Sequence, residues 1–382
     1  MEAYLQRLLA QRHHCGLYRV RMPHQGRQRP ILHQSQADYL AFCSNDYLGL
    51  AADVRVQAAC QQGLQQYGVG SGAAHLLSGH TQAHQQLEQA LAQYTGRERA
   101  LLFSNGYMAN LGVISALMGR QDALFLDKLN HASIIDAAVL SRAKIYRYRH
   151  HDLSHLAQLL APCTARYKLI ITDGVFSMDG DIAPLPGLVE VAQRYHAWVM
   201  VDDAHGLGVL GAQGRGSLEH FALSVAEVPI LMGTLGKAFG VFGAFVAGSH
   251  ALIETLIQFA RSYIYTTALP PAWAQATLMS LTLAQQEPWR RQRLYELIAY
   301  YRTEVQRRQL NLMVSNTPIQ PLILNDAEHA LRLSQHLYQH GILVPAIRPP
   351  TVPTARLRVS LSALHEPQHL DTLLDCLGAV LG

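Results

Sequence analysis

A lysine stands between two glycines in Thr234-Leu235-Gly236-Lys237-Ala238-Phe239-Gly240, directly after the apolar run at residues 229–233. Glycines let the backbone bend tightly and leave room beside an amine. A flexible primary amine lifted off a strand end into a crowded site suits Schiff-base chemistry with an aldehyde. Of the 31 lysines and arginines, only Lys128, Lys144, Lys168 and Lys237 are lysines. Arginine stays charged and forms no imine under ordinary conditions, which singles out Lys237. The Gly236-Lys237 pair does not make a phosphate-binding Walker loop. Leu231 stands where that loop's first glycine belongs, and Ala238 replaces the Ser or Thr that would hold magnesium.

A second group, Val201-Asp202-Asp203-Ala204-His205-Gly206, joins an apolar strand to a carboxylate and, three residues later, an imidazole. A buried carboxylate at Asp202 can hold a ring nitrogen protonated; the alternative is that Asp202 caps or pairs locally. Residues 206–211 spell G-x-G-x-x-G, but Gly214 and Gly216 continue the loop where a helix should open. The acidic partner of a dinucleotide fold is also missing. No G-x-S-x-G elbow supports a serine hydrolase. His80 and His84 lie one helical turn apart near His75, yet Thr-Gln-Ala between them lacks the glutamate of a zinc-peptidase helix. They read as scattered polar histidines, and no metal is expected.

The elements that must position these groups follow from hydrophobic period. Apolar strands at 100–103, 124–127, 144–148, 168–173 and 198–202 alternate with helical stretches, one opening at Gly106-Tyr107 and another near His131. That alternation predicts an α/β fold with a doubly wound, mostly parallel sheet. Functional groups then belong at strand carboxyl ends, and the helix start at Gly106 offers free N–H groups to a phosphate. Tyr4, Leu5, Leu8 and Leu9 predict an N-terminal helix. Past Pro270-Pro271 the chain reads as helical to Arg308, then as strands at 319–324 and 356–360 around a helix at 327–339. The expected division is a helix and arm at 1–44, a large domain at 45–285 and a smaller α+β domain at 286–382.

Composition sets the bounds. With 49% hydrophobic and 15% charged residues the chain fits a globular enzyme with extensive buried surface. A net charge of +4 without a long basic run or RNA-binding signature gives no nucleic-acid partner. Five scattered cysteines with no C-x-x-C pair argue for a reducing cytosol and against a disulfide frame or zinc site. The polar, arginine-rich residues 1–29 contain no secretory core. No run approaches the ~18 apolar residues of a membrane span. A cytoplasmic protein with no membrane contact is expected.

In chain order, Gly106, His131, Asp202 with His205, and Lys237 supply what pyridoxal 5'-phosphate needs. These are a phosphate cradle, a flat group to stack on the ring, a pyridinium partner and an imine lysine.

Four stretches carry a family resemblance: Ser44-Asn45-Asp46-Tyr47-Leu48-Gly49, Thr172-Asp173-Gly174-Val175-Phe176-Ser177-Met178-Asp179-Gly180, residues 201–206 and residues 234–240. Over nearly its whole length the chain resembles the α-oxoamine synthases. These are fold-type I pyridoxal-phosphate enzymes, working as homodimers, that join an amino acid to an acyl thioester with loss of CO2. The resemblance implies that Lys237 carries the cofactor and moves the substrate α-proton, and that Asp202 pairs with the ring nitrogen. It implies that His205 and Ser177 approach the ring hydroxyl, and that His131 stacks on the ring and meets substrate. Gly106, Tyr107 and Thr234 would serve the phosphate, with Asp173 and Asn45 lining the site. Arg348 would hold the substrate carboxylate, Arg19 and Thr351 would contact substrate, and Gly70, Ser71, Thr266 and Thr267 would reach the neighbouring subunit's cofactor. Residues 347–353 and 202–206 most resemble members that condense L-alanine with a pimeloyl thioester, on coenzyme A or an acyl-carrier protein, in biotin biosynthesis. Residues 173–180 also resemble the glycine-using C-acetyltransferase. A catalytically silent protein of the same fold is the non-enzyme alternative.

Overall fold

The computed structural model describes residues 1–34, 37–324 and 326–381. In chain order its strands are β1 (Ile31–Gln34), β2 (Ala37–Ala41), β3 (Arg99–Phe103), β4 (Ala123–Asp127), β5 (Lys144–Tyr148), β6 (Lys168–Asp173) and β7 (Trp198–Asp202). After them come β8 (Ile230–Thr234), β9 (Ala244–Gly248), β10 (Ile319–Ile323), β11 (Ile342–Leu343), β12 (Ala346–Ile347) and β13 (Arg356–Ser360). Seven of them form one sheet in the order β3-β9-β8-β7-β6-β4-β5. β4 and β9 are buried at every position. Such uninterrupted apolar runs are what a sheet covered on both faces requires.

Alternate strand residues feed two separate cores. Leu124, Leu126, Ile171 and Met200 face the helices Gly106–Leu117, Ala132–Ser141 and His250–Phe259. Phe125, Ile170, Val199 and Val201 face Leu156, Leu160, Leu185 and Leu188 on the other side. Each fully buried side chain of this size contributes about 2 kcal/mol from removing apolar surface from water. Register then matters, because a slip by one residue would exchange the two faces. Asp173 pairs with Asp202 and Asp202 with Met232, so β6 and β7 finish level and β8 runs two residues further, to Thr234.

All pairings in this sheet are parallel except those of β9 with β3 and β8. β9 was not foreseen, because a five-residue apolar run after a glycine-rich loop carries no period of its own. It makes the segment 235–243 the connection of an antiparallel pair. Leu235 N–H donates to the Gly243 carbonyl and Val241 N–H to that of Leu235, each at 2.9 Å. Gly240 N–H donates to the Lys237 carbonyl at 2.8 Å. The lysine is therefore held on a closed hairpin.

The other two sheets are small: β1-β2-β11, and β10-β13-β12. β2 pairs parallel with β11, so the N-terminal strands join a sheet completed from the far end of the chain. The segment following β6 is gripped by this region. Ser315 and Thr317 hydroxyls donate to the Gly180 carbonyl at 2.9 and 3.0 Å, and Asp179 forms a buried ion pair with Arg356. Residues 206–216 open no long helix, as the sequence suggested; the next helical turn is Ser217–His220. The five cysteines are free, and no helix among the described residues is long and apolar enough to cross a membrane.

Gly240 has φ of +66°, and a Cβ there would lie 2.3 Å from the Ala51 amide nitrogen. Gly240→Ala thus combines left-handed backbone strain with a backbone clash. It is expected to cost about 2 kcal/mol or more, read as a lower urea midpoint at unchanged slope. A midpoint equal to that of the parent would show that the hairpin tolerates displacement.

Candidate active site

The Lys237 amine lies 2.7 Å from His205 Nε2, and His205 Nδ1 lies 2.7 Å from the Tyr47 hydroxyl. The Tyr47 hydroxyl donates to Asn45 Oδ1 at 3.2 Å, and the same oxygen accepts from Arg358 Nη2 at 3.2 Å. These contacts have one consistent direction. Burial, then the positive charges of Lys237, Arg358 and His131, push His205 well below its usual range, so the ring is neutral. Nε2 then accepts from the amine, Nδ1–H donates to Tyr47, and the Tyr47 hydroxyl donates in turn to Asn45. Burial brings Lys237 from 10.5 to about 8, opposed by Asp202 and Asp173 and reinforced by Arg358. About a tenth of the amine is then neutral, and so nucleophilic, at pH 7, far more than for an ordinary lysine.

The carboxylates stand at the strand ends beside it. Asp202 Oδ2 accepts from Asn110 Nδ2 at 2.8 Å and Oδ1 from Ala204 N–H at 3.1 Å. Asn110 also donates to Ser133 Oγ at 2.9 Å, which ties the helix Gly106–Leu117 to the next one. Asp202 is buried, yet it takes part in none of the ion pairs among the described residues. Buried carboxylates are ordinarily paired. A protonated ring nitrogen fits this position. Asp173 accepts from His131 N–H at 3.0 Å; burial and the neighbouring Asp202 hold its carboxyl well above the usual range.

His131 caps the helix Ala132–Ser141, and its ring is solvent-exposed, with Nδ1 2.7 Å from Ser133 Oγ. That leaves a flat aromatic face available to a ring. The helix Gly106–Leu117 begins with an Asn105 cap that engages the Met108 N–H at 3.0 Å. The N–H groups of Gly106 and Tyr107 remain for an anion. Tyr107 itself is exposed and donates to Asp136. The Thr234 hydroxyl bonds the Gly243 carbonyl and the Gly236 N–H at the base of the hairpin. An amine for an aldehyde, an unpaired buried acid for a pyridinium and a helix start for a phosphate match the three ends of pyridoxal phosphate.

The family model for aminotransferase class I and II matches residues 37–377. An 8-amino-7-oxononanoate synthase from Nitrosococcus oceani is 58% identical, over 98% of this chain and 100% of its own. One from Thioalkalivibrio sulfidiphilus is 58% identical over 97% and 95%. The chain belongs to the 8-amino-7-oxononanoate synthase family of pyridoxal-phosphate enzymes. Among solved structures, the 8-amino-7-oxononanoate synthase of Francisella tularensis superposes with a TM-score of 0.79 at 37% identity, covering 90% of this chain and 98% of that one. A serine palmitoyltransferase from S. paucimobilis with a bound PLP–myriocin aldimine superposes with a TM-score of 0.92 at 32% identity, over 98% and 96%. The fold is that of type I pyridoxal-phosphate enzymes, and the cofactor of the 8-amino-7-oxononanoate synthase family is pyridoxal phosphate.

The structure brings Lys237, His205, Asp202, Asp173, His131 and Asn45 to one end of the sheet. The Ser177 carbonyl joins them by accepting from Arg358 Nε. Arg348 is half-buried ahead of Pro349, and none of the described hydrogen bonds links its guanidinium to the Lys237 chain of contacts. Thr351 and Arg19 are exposed. Sequence reasoning missed Arg358, Tyr47 as a hydrogen-bonding group, and Asn110. Arg358 did leave a signal, since an arginine inside the apolar strand β13 is buried only where something holds it. His75, His80 and His84 correct the reading of scattered histidines. Their nitrogens cluster within 4.8 Å, and His84 is bonded through Nδ1 to Thr81 and through Nε2 to the Leu269 carbonyl.

Because the neutral amine is the reactive form, capture of Lys237 by added pyridoxal phosphate should rise with pH through about 8 and level off above it. Arg358 depresses that value, so Arg358→Met should move the midpoint upward. Stopped-flow absorbance measures both. A midpoint near 10.5, the ordinary lysine value, would contradict the burial account.

Proposed function

We propose that the protein condenses L-alanine with a pimeloyl thioester to give 8-amino-7-oxononanoate, CO2 and the free thiol carrier, a step of biotin biosynthesis. The observation that carries this reading is the half-buried, deprotonatable Lys237 amine within the electrostatic reach of a buried, unpaired Asp202, in a chain so similar to 8-amino-7-oxononanoate synthases. Lys237, Asp202, His205 and His131 are the proposed catalytic residues. Gly106, Tyr107 and Thr234 hold the phosphate, with Asp173, Ser177 and His205 around the ring. Pyridoxal phosphate, when bound, offers an aldehyde to an amine and takes up the electron pair left when a proton or CO2 departs from the amino-acid Cα.

This chain's residues do the rest. Asp202 keeps the ring nitrogen protonated, which maintains the electron demand. Lys237, once free, removes the Cα proton and returns one after CO2 has left. Neutral His205 accepts hydrogen bonds through Nε2, and Tyr47 fixes its tautomer. Two carboxylates need two cations, because alanine has one and the pimeloyl tail another. Arg358, which bonds Asn45 beside the amine, is assigned the alanine carboxylate. Arg348, with Thr351 and Arg19, is assigned the acyl substrate, in place of the role expected for it from sequence.

The division into 1–44, 45–285 and 286–382 is proposed as functional too. The seven-stranded sheet lies wholly within 45–285, and the small sheets draw on 31–41 and 319–360. A homodimer with shared sites is the proposed assembly, with Gly70, Ser71, Thr266 and Thr267 at the shared edge.

Mass spectrometry of products from alanine or glycine, each with pimeloyl and acetyl thioesters, tests the reading. The expected product is 8-amino-7-oxononanoate from alanine and the pimeloyl thioester. Preferred formation of 2-amino-3-oxobutyrate from glycine and the acetyl thioester would contradict it. Arg358→Met should raise KM for alanine at least about tenfold while changing the thioester KM little, as expected for loss of a charge-assisted contact. Equal changes in both would remove Arg358 from the alanine site. Asp202→Asn should retain cofactor yet slow deuterium exchange at the alanine Cα by about a hundredfold; unchanged exchange would refute the role of the carboxylate.

A further inference from the structure

We propose that the arginine-rich segment 1–29 is a docking surface for an acidic protein that presents the acyl thioester, an inference that rests on the acyl-transfer reading above. The charge of the chain is concentrated there. Residues 1–34 hold six arginines (Arg7, Arg12, Arg19, Arg21, Arg27 and Arg29) against one acid, Glu2, leaving 25 basic and 26 acidic residues of the 31 and 27 for the rest of the chain. The whole positive excess lies in less than a tenth of the sequence. All six arginines are exposed, and none forms an ion pair with a described carboxylate.

Its location suits delivery of an acyl group. Met22, His24 and Gln28 border a cavity of about 520 Å³ whose other wall includes Asn45, Gly236 and Gly240. Asn45 bonds both Tyr47 and Arg358, and Gly236 precedes the reactive lysine. A molecule held by the basic segment stands beside a cavity lined by Asn45 and by the glycine that precedes the lysine.

The surface chemistry favours a folded protein over a small phosphorylated carrier. The helix Glu2–His14 buries no residue. Its Tyr4, Leu5, Leu8 and Leu9 are 56%, 40%, 42% and 45% exposed. At 100° per residue they form one stripe, and Arg12 falls within it. Thirteen residues span about 20 Å. An apolar stripe with Arg12 within it and Arg7 on the same helix, followed by Arg19, Arg21, Arg27 and Arg29, matches an acidic helical face with apolar residues of its own.

The test uses the full chain loaded with pyridoxal phosphate and the double variant Arg7→Glu/Arg12→Glu, whose helix is checked by circular dichroism. Holo acyl-carrier protein, labelled for fluorescence anisotropy, is the binding probe. Wild type is expected to bind it, more weakly as salt rises, and the variant to bind at least about tenfold more weakly. In turnover the variant should raise KM for a pimeloyl thioester on the carrier protein by a similar factor, with kcat and the KM for pimeloyl-CoA unchanged. Absence of carrier binding by wild type, equal binding by the variant, or equal effects on both thioesters would overturn the proposal. Loss of a dimer in the variant by sedimentation velocity would assign the helix to a second copy and overturn it as well. If neither thioester is turned over by wild type, the acyl-transfer reading falls, and the anisotropy result still decides the docking surface.

Discussion

A lysine amine held 2.7 Å from a neutral imidazole is the contact on which the rest of the structure depends. An ammonium group is poorly tolerated away from water, so burial moves Lys237 toward the form that can attack an aldehyde. His205 can serve as acceptor only if its own proton sits on Nδ1. Tyr47 enforces that from the far side and is itself committed to Asn45. Arg358 closes the series at Asn45 and adds positive charge that disfavours protonation of both the amine and the imidazole. The carboxyl groups at the strand ends act the other way, Asp202 first and Asp173 after it. Burial is the largest influence, and the balance brings the amine down to about 8.

This balance requires groups far apart in sequence to hold fixed distances. The parallel register of β6, β7 and β8 sets the two aspartates side by side, level with Met232, two residues before β8 ends and the lysine hairpin begins. β9 returns antiparallel and closes that hairpin, while Gly240 packs against Ala51. The segment after β6 is clamped from the opposite direction by Asp179–Arg356 and by Arg358 on the Ser177 carbonyl. A buried ion pair contributes little net stability against an apolar replacement, yet breaking it leaves a stranded charge. Its use here is to fix the small sheet containing β13 against the active-site end of the large one.

Much of this was legible in the amino-acid order. β5, β6 and β7 fall where the apolar runs placed them. Lys237, Asp202, His205 and His131 were each marked by a strand end. What stayed hidden depends on contacts that no local pattern encodes. β9 is too short and apolar to declare its direction. Tyr47 reads as a turn residue until the imidazole 158 positions later is beside it. Arg358 alternates within β13 like any strand residue, and only the fold shows that its guanidinium reaches Asn45. The histidines at 75, 80 and 84 meet through a turn whose geometry the sequence does not reveal.

The central claim concerns one nitrogen atom among four lysines. Borohydride reduction of the protein reconstituted with pyridoxal phosphate, followed by peptide mapping, examines it directly. A pyridoxyl group on the peptide containing Lys237, and on none containing Lys128, Lys144 or Lys168, is the predicted result. A label absent from that peptide, or spread evenly over all four lysines, would contradict the account.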